Sequence, residues 1–161
     1  LPLSDNFYGW AKASYEHLGF VFACGAMGEC EDGASGNLVS GALGTSRKMG
    51  VVMVRIGAPR ELEGDEYRGD PVAFKRDLGA YISARDITQL FQKAMEVPNI
   101  ENKEGVPWQV VYGISDNTRS FWSLSTAREV LGYEPQDDSE IKFSSSISEI
   151  LSDVGRVGPV S

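Results

Sequence analysis

Apolar and polar positions along the chain predict helices that alternate with short strands. Residues 7 to 24 read as a mostly apolar helix, and polar residues 4 to 6 supply candidate caps ahead of it. Residues 51 to 57 (VVMVRIG) and 108 to 115 (WQVVYGIS) are short apolar runs, which suit strands buried on both faces of a parallel sheet. The pattern therefore indicates an α/β fold.

Further helices are predicted between and after these strands. Ser83 and Asp86 form a capping-box pattern, and apolar residues then recur at helical spacing up to residue 97. Residues 123 to 132 read as a helix that Gly132 closes. Weaker helical patterns cover residues 72 to 78 and 147 to 154.

The segment from residue 24 to residue 50 is so rich in glycine and serine that it predicts a long loop or insertion. Its GNLVSGAL stretch has the glycine spacing of a phosphate-binding loop, but Ala42 and Leu43 stand where such a loop has Lys and Ser or Thr. Cys24 and Cys30, with a single histidine in the chain, offer too few soft ligands for structural zinc. We expect free thiols and no metal site.

Composition narrows the classes of partner. The 161 residues carry a formal net charge of -8, which argues against a nucleic-acid partner because such proteins bring basic patches to the phosphates. No apolar run approaches the roughly 18 residues that a membrane span needs, and nothing in the sequence indicates export. We expect a cytoplasmic protein with a small-molecule ligand. Asp137, Asp138 and Glu140 read as a solvated acidic turn.

Tyr8 and Lys12 are the candidate chemical pair. Four residues apart on a helix, they share one face, and a nearby ammonium favours the ionised form of a phenol. Such a phenol can exchange a proton with a substrate hydroxyl. The spacing alone is weak evidence, since Tyr and Lys often fall four residues apart in helices with only a structural role.

Five segments strengthen this interpretation. In chain order they are FYGWAKASYE, VVMVRIG, YISARDI, QVVYGISDNTRSFW and LGYEPQDD. Together they resemble the C-terminal half of the extended short-chain dehydrogenase/reductase family, and within its NAD-dependent epimerase/dehydratase group they most resemble uronate dehydrogenases. The resemblance covers nearly the whole chain except residues 24 to 50 and the tail after about residue 140.

The resemblance implies the C-terminal portion of a Rossmann-type parallel sheet with a small substrate-binding subdomain. We expect a single domain over residues 1 to 161, incomplete relative to the family because the dinucleotide fingerprint G-x-G-x-x-G is absent. Residues 1 to 60 would hold the end of the Rossmann core with the glycine-rich insertion. Residues 61 to 161 would hold mainly the substrate subdomain, with a late strand and helix.

Site residues follow from the same resemblance. Tyr8 would be the catalytic acid/base, and Lys12 would promote its ionisation and bind the cofactor ribose; both would touch the cofactor. Arg76 would bind the substrate carboxylate through its planar guanidinium. The backbone beside the nicotinamide would be formed by Ile56, Gly57 and Ala58. Ala58 and Gly79 stand where serine is usual in the family.

The implied activity is an NAD-dependent oxidoreductase that acts on a sugar or sugar acid, with NADP as an open alternative. Hydride would pass between the nicotinamide and a sugar carbon while Tyr8 handles the hydroxyl proton. A sugar-nucleotide epimerase or dehydratase would use the same pair. A third alternative is an inactive fragment that acts as a scaffold or interaction protein. The resemblance also implies a possible homodimer.

Overall fold

The computed structural model describes residues 5–24 and 49–156, although the side chains of residue 151 and residues 153–156 stay outside the description. The predicted glycine-rich loop, except for its two ends, lies outside the described residues, as does Cys30.

The described residues form six α-helices, a short 3₁₀ helix and two strands. In chain order they are α1 (Phe7–Ala23), β1 (Val51–Ile56), the 3₁₀ helix (Gly64–Tyr67), α2 (Pro71–Ala80), α3 (Ala84–Glu96), β2 (Trp108–Gly113), α4 (Ser125–Leu131), α5 (Ser139–Lys142) and α6 (Ser144–Arg156). Every predicted helix and strand is present, with ends shifted by a few residues. The 3₁₀ helix and α5 were not predicted.

These residues divide into two compact units. The first combines the chain up to Val54 with Val97–Val111, and the second combines Arg55–Glu96 with the chain from Tyr112 onward. The expectation of a single domain with a division near residue 60 remains a prediction.

In the first unit, helix α1 packs on β1 through a glycine. The side chain of Asn6 caps the helix by accepting a hydrogen bond from the Gly9 backbone N–H. A Cβ at Gly19 would lie 2.8 Å from the Met53 sulfur, so a larger residue there would require the flexible Met53 side chain to move. The ring of Phe20 meets Trp108 edge to face at 5.3 Å.

Strands β1 and β2 are parallel neighbours, and the α/β class is therefore confirmed. The backbone N–H of Val51 donates to Pro107, and that of Gly57 donates to Gly113, so both strands advance in the same direction. The prediction of full burial is wrong for both strands: the residues of β1 are half-buried or exposed, and most residues of β2 are half-buried. The cause is that the sheet of the described residues has only two strands, so each strand is an edge.

The second unit has its own apolar core. Tyr67 of the 3₁₀ helix contacts Phe74 of α2 at 5.0 Å, and Tyr81 contacts Phe143 edge to face at 5.1 Å. The cluster contains Leu62, Tyr67, Phe74, Leu78, Tyr81, Phe143 and Ile150. The polar C-terminal tail thus supplies core residues, and α6 begins at Ser144, earlier than the sequence pattern indicated.

Two of the predicted helix ends have the expected chemistry. The Ser83 hydroxyl accepts the Asp86 backbone N–H, which caps α3 as predicted. Helix α4 is followed by Gly132 in the left-handed conformation, with φ of 66°. Among the helices of the described ranges, none is long and apolar enough to cross a membrane.

Candidate active site

Tyr8 and Lys12 come together on the first two turns of α1, as their spacing predicts. The ammonium nitrogen of Lys12 lies 5.2 Å from the centroid of the Tyr8 ring. At this distance the cation interacts with the π-system of the ring. Tyr8 is 74% exposed, so its hydroxyl is open to a ligand. The two side chains thus share one exposed face of α1, and their role in proton transfer remains a prediction.

Backbone hydrogen bonds fix the segment at the end of β1. Besides the bond from Gly57 to Gly113, the Ala58 N–H donates to Ala80 at 2.7 Å, and the Ile82 N–H donates to Ala58 at 3.2 Å. Ala58 therefore extends the parallel pairing to Tyr81, directly after α2. Ile56, at the exposed end of the strand, keeps an accessible side chain.

Gly57 has a steric reason to be glycine. A Cβ at this position would lie 1.9 Å from the Ala80 carbonyl oxygen and 2.8 Å from the Ile114 side chain. The first contact cannot be relieved cheaply, because it involves a carbonyl that already accepts from Ala58. The second involves the fully buried side chain of Ile114. Glycine here is required by the close approach of the C-terminal end of α2.

Arg76 lies on α2 in an ion-pair cluster centred on Asp77. Its Nε donates to one oxygen of Asp77 at 2.8 Å. The other oxygen accepts from the Tyr67 hydroxyl at 2.8 Å and from Arg60 at 2.9 Å. Asp77 is buried, whereas the Arg76 side chain is 66% exposed. Asp77 thus engages the Nε of Arg76, and most of the Arg76 side chain stays exposed.

This cluster shifts the pKa values of Asp77 and Tyr67. Burial alone would raise the pKa of Asp77, but the hydrogen bonds from Arg76, Tyr67 and Arg60 outweigh it and hold that pKa below its ordinary 3.8. Burial, reinforced by the bond to Asp77, raises the pKa of Tyr67 to about 12. Asp77 is therefore ionised and Tyr67 neutral at physiological pH.

The candidate residues divide between the two units. Tyr8 and Lys12 belong to the first, whereas Ile56, Gly57, Ala58 and Arg76 belong to the second. Within the second, Ala58 pairs with the end of the helix that carries Arg76. The candidate residues thus form two groups, one in each unit, and their participation in one reaction remains a prediction.

A buried polar network beyond the end of β2 was missed by sequence reasoning. The fully buried carboxylate of Asp86 accepts the Ser115 hydroxyl at 2.6 Å and the backbone N–H groups of Gln136 and Asp137 at 3.0 and 3.1 Å. Ser115 in turn accepts the Ser83 N–H. The sequence signal that could have indicated this network is the run of polar residues 115 to 118, which comes soon after β2.

The prediction of a solvated acidic turn is wrong, because its carboxylates have protein partners. Asp137 binds the Ser83 hydroxyl and Arg85, while Asp138 binds the Thr118 hydroxyl and backbone. The hydrogen bond from Ser83 is the main reason that the pKa of Asp137 is low. For Asp138, burial opposes ionisation, but its hydrogen bonds outweigh this and lower the pKa.

Within residues 5–24 and 49–156, no group of three or more His, Cys, Asp or Glu side chains could hold a metal ion.

Comparison with known proteins yields relatives that are dehydrogenases. Over 139 residues the chain is 31% identical to the NAD-dependent glucose-6-phosphate dehydrogenase of Haloferax volcanii, an alignment that covers 86% of this chain and 40% of that protein. Over 67 residues it is 33% identical to the uronate dehydrogenase of Pseudomonas syringae pv. tomato, covering 42% of this chain and 22% of that protein. No family model matches the sequence, and no solved structure matches it significantly.

The chain thus spans less than half the length of the curated relatives that it matches. Both relatives are dehydrogenases, which agrees with the oxidoreductase class expected from the sequence, and the first is NAD-dependent, in agreement with the expected cofactor.

Proposed function

We propose that this chain is part of an NAD-dependent oxidoreductase that acts on a sugar or sugar acid. Its fold would be the C-terminal portion of a Rossmann-type sheet, with the substrate subdomain in the second unit. Similarity to an NAD-dependent glucose-6-phosphate dehydrogenase and to a uronate dehydrogenase supports this class. Dimerisation and a cytoplasmic location remain predictions.

The observation that carries the proposal is the exposed Tyr8–Lys12 pair. An exposed tyrosine commonly has no functional role. Here, however, the ammonium nitrogen of Lys12, one helical turn further on, lies 5.2 Å from the centroid of the Tyr8 ring. The donor set suits NAD, since a lysine ammonium can bind ribose hydroxyls while a phenol meets the substrate hydroxyl. Bound NAD would accept the hydride from the substrate carbon.

The chain's own residues would handle the proton and the position of the sugar. The Tyr8 oxygen takes the hydroxyl proton as the substrate carbon becomes a carbonyl, and Lys12, on the next turn of α1, binds the cofactor ribose. Arg76 binds a substrate carboxylate or phosphate through its terminal nitrogens, since Asp77 holds its Nε. The rigid backbone at Gly57 and Ala58 would form one wall beside the nicotinamide.

The test measures NADH absorbance with glucose 6-phosphate, D-glucuronate and D-galacturonate as substrates. Tyr8→Phe removes the proton carrier and should lower kcat/KM by about 10²- to 10⁴-fold. Lys12→Met should weaken NAD binding by about tenfold or more, as expected for loss of a charged hydrogen bond.

Matched controls separate chemistry from folding. Tyr15→Phe alters another exposed tyrosine of the same helix, and Lys93→Met removes a lysine from α3; both should leave the rate and NAD affinity unchanged. Turnover of a nucleotide sugar without net NADH would instead identify an epimerase. If the complete oxidoreductase to which this chain would belong forms no NADH with any of these sugars and does not bind NAD, the proposal is refuted and the scaffold alternative is favoured.

A further inference from the structure

The second unit contains a cleft that the proposed chemistry does not use. It has a volume of about 490 Å³ and is lined by residues between Asp116 and Glu129. This size falls within the range of small-molecule sites, roughly 300–1,000 Å³. The lining segment follows the carboxyl end of β2, the end of a parallel sheet at which α/β proteins usually bind ligands.

One side of the cleft is a fixed aromatic surface. The Trp122 ring stacks on Tyr112 with centroids 5.1 Å apart and an interplanar angle of 14°, and Phe121 meets it edge to face. Tyr112 is itself held by Arg55, whose guanidinium donates to the phenol oxygen at 3.0 Å. Tyr112 stacks on one face of the indole, so a sugar ring would use the opposite face, where a restrained aromatic ring binds C–H groups at little entropic cost.

The rest of the lining mixes donors and acceptors. Arg128 donates to Asp116 at 2.8 Å, and the Ser123 and Ser125 hydroxyls are hydrogen-bonded to each other at the cleft. Glu129 adds a second carboxylate. A hydroxyl-rich ligand both donates and accepts, so it can add hydrogen bonds to such a set, whereas an apolar ligand would take these polar groups out of water without giving them new partners.

The formal charge of this lining disfavours anions. One guanidinium, Arg128, stands against the carboxylates of Asp116 and Glu129, which leaves a net charge of -1. A carboxylate or phosphate group brought into the cleft would meet this excess negative charge without a free cation to pair with.

The absence of a side chain at Gly79 lets the segment from Arg119 to Trp122 lie close to α2. A Cβ at Gly79 would lie 2.8 Å from the Arg119 carbonyl oxygen and 2.9 Å from the Phe121 ring. The segment that carries Ser120 and Trp122 therefore rests directly on this glycine. A side chain at position 79 would push the segment away and reshape the cleft.

We propose that this cleft is a binding site for a neutral sugar, with a hexose ring stacked on Trp122 and its hydroxyls bonded to Asp116, Arg128 and the serines. The choice of a sugar among hydroxyl-rich compounds rests on the proposed function. The site discriminates against hexuronates and sugar phosphates through the charge of Glu129 and Asp116.

The test titrates the ¹⁵N-labelled protein with D-glucose and with D-glucuronate, without NAD, and follows the indole N–H signals by NMR. We expect saturable shifts at the Trp122 indole and a dissociation constant for glucose at least fivefold lower than for glucuronate. Trp122→Ala should weaken glucose binding at least tenfold. Trp10→Ala removes an exposed tryptophan of the first unit and should leave it unchanged.

A charge reversal tests the discrimination. Glu129→Lys changes the lining charge from -1 to +1 and should tighten glucuronate binding at least fivefold. Glu149→Lys makes the same change of total charge on the exposed part of α6 and should not. The proposal is overturned if glucose gives no saturable shift at Trp122, if Trp122→Ala binds like the parent, or if glucuronate binds the parent as well as glucose does. NADH formation by the complete oxidoreductase without glucose binding at the cleft would refute only the cleft, and glucose binding to a complete protein that neither binds NAD nor forms NADH would refute only the oxidoreductase.

Discussion

Replacing Asp86 with alanine tests whether the buried network after β2 holds the second unit together. The variant removes the common acceptor of the Ser115 hydroxyl and of the Gln136 and Asp137 backbone N–H groups. These donors come from segments that are distant from Asp86 in sequence, so the carboxylate joins α3 to the loop after β2 and to the chain before α5.

The size of the effect follows from the burial of the three donors. Ser115 is fully buried, so its orphaned hydroxyl costs about 2 kcal/mol, and the two partly buried N–H groups cost about 1 kcal/mol each. Relief of the desolvated carboxylate offsets part of this sum. We expect a net loss of about 3 kcal/mol in the free energy of unfolding, which lowers Tm by about 6–12 °C.

Urea unfolding at pH 7, followed by far-UV circular dichroism, measures this loss. Asp65→Ala is the matched control, because Asp65 is an exposed carboxylate paired with Arg68 in the 3₁₀ helix region, and it should cost at most about 0.5 kcal/mol. A loss below about 1 kcal/mol for Asp86→Ala, at an unchanged m value, would show that water replaces the network and would refute the reasoning.

Variants at three further positions test other parts of the structure. Since the pKa of Asp77 is lower in the folded protein, its contribution to stability is complete above its unfolded value of about 3.9 and disappears as the pH falls through the folded value; urea titrations from pH 6 to pH 2 should show a shallower decline for Asp77→Asn. Gly132→Ala should cost about 1 kcal/mol of unfolding free energy, because φ is 66° there, and Gly132→Asn should cost less. Gly57→Ala should give little folded protein by circular dichroism, because its Cβ would lie 1.9 Å from the Ala80 oxygen; a native spectrum and Tm would contradict that geometry.

Local features of the fold could be predicted wherever neighbours in sequence determine them. The apolar spacing of α3, its Ser83 cap and the glycine after α4 each act within a few residues, and each is found in the structure. The proximity of Tyr8 and Lys12 is of the same kind, since helical spacing alone brings them to one face.

Other features depended on contacts across long stretches of chain. The capping-box pattern predicted that the Asp86 side chain would reach back to the start of its helix, but its carboxylate binds residues 115, 136 and 137 instead. The acidic residues near position 137 looked solvated because their partners lie 20 to 54 positions away.

The sequence by itself therefore determined the succession of helices and strands and the pairing of phenol with ammonium, because hydrogen bonds and side-chain spacing within one element are short-range. Only the tertiary structure decided which charges are paired, why Gly57 and Gly79 lack side chains, and that Trp122 borders a cleft. Those outcomes depend on which segments pack together, and packing selects among polar partners that no local pattern distinguishes.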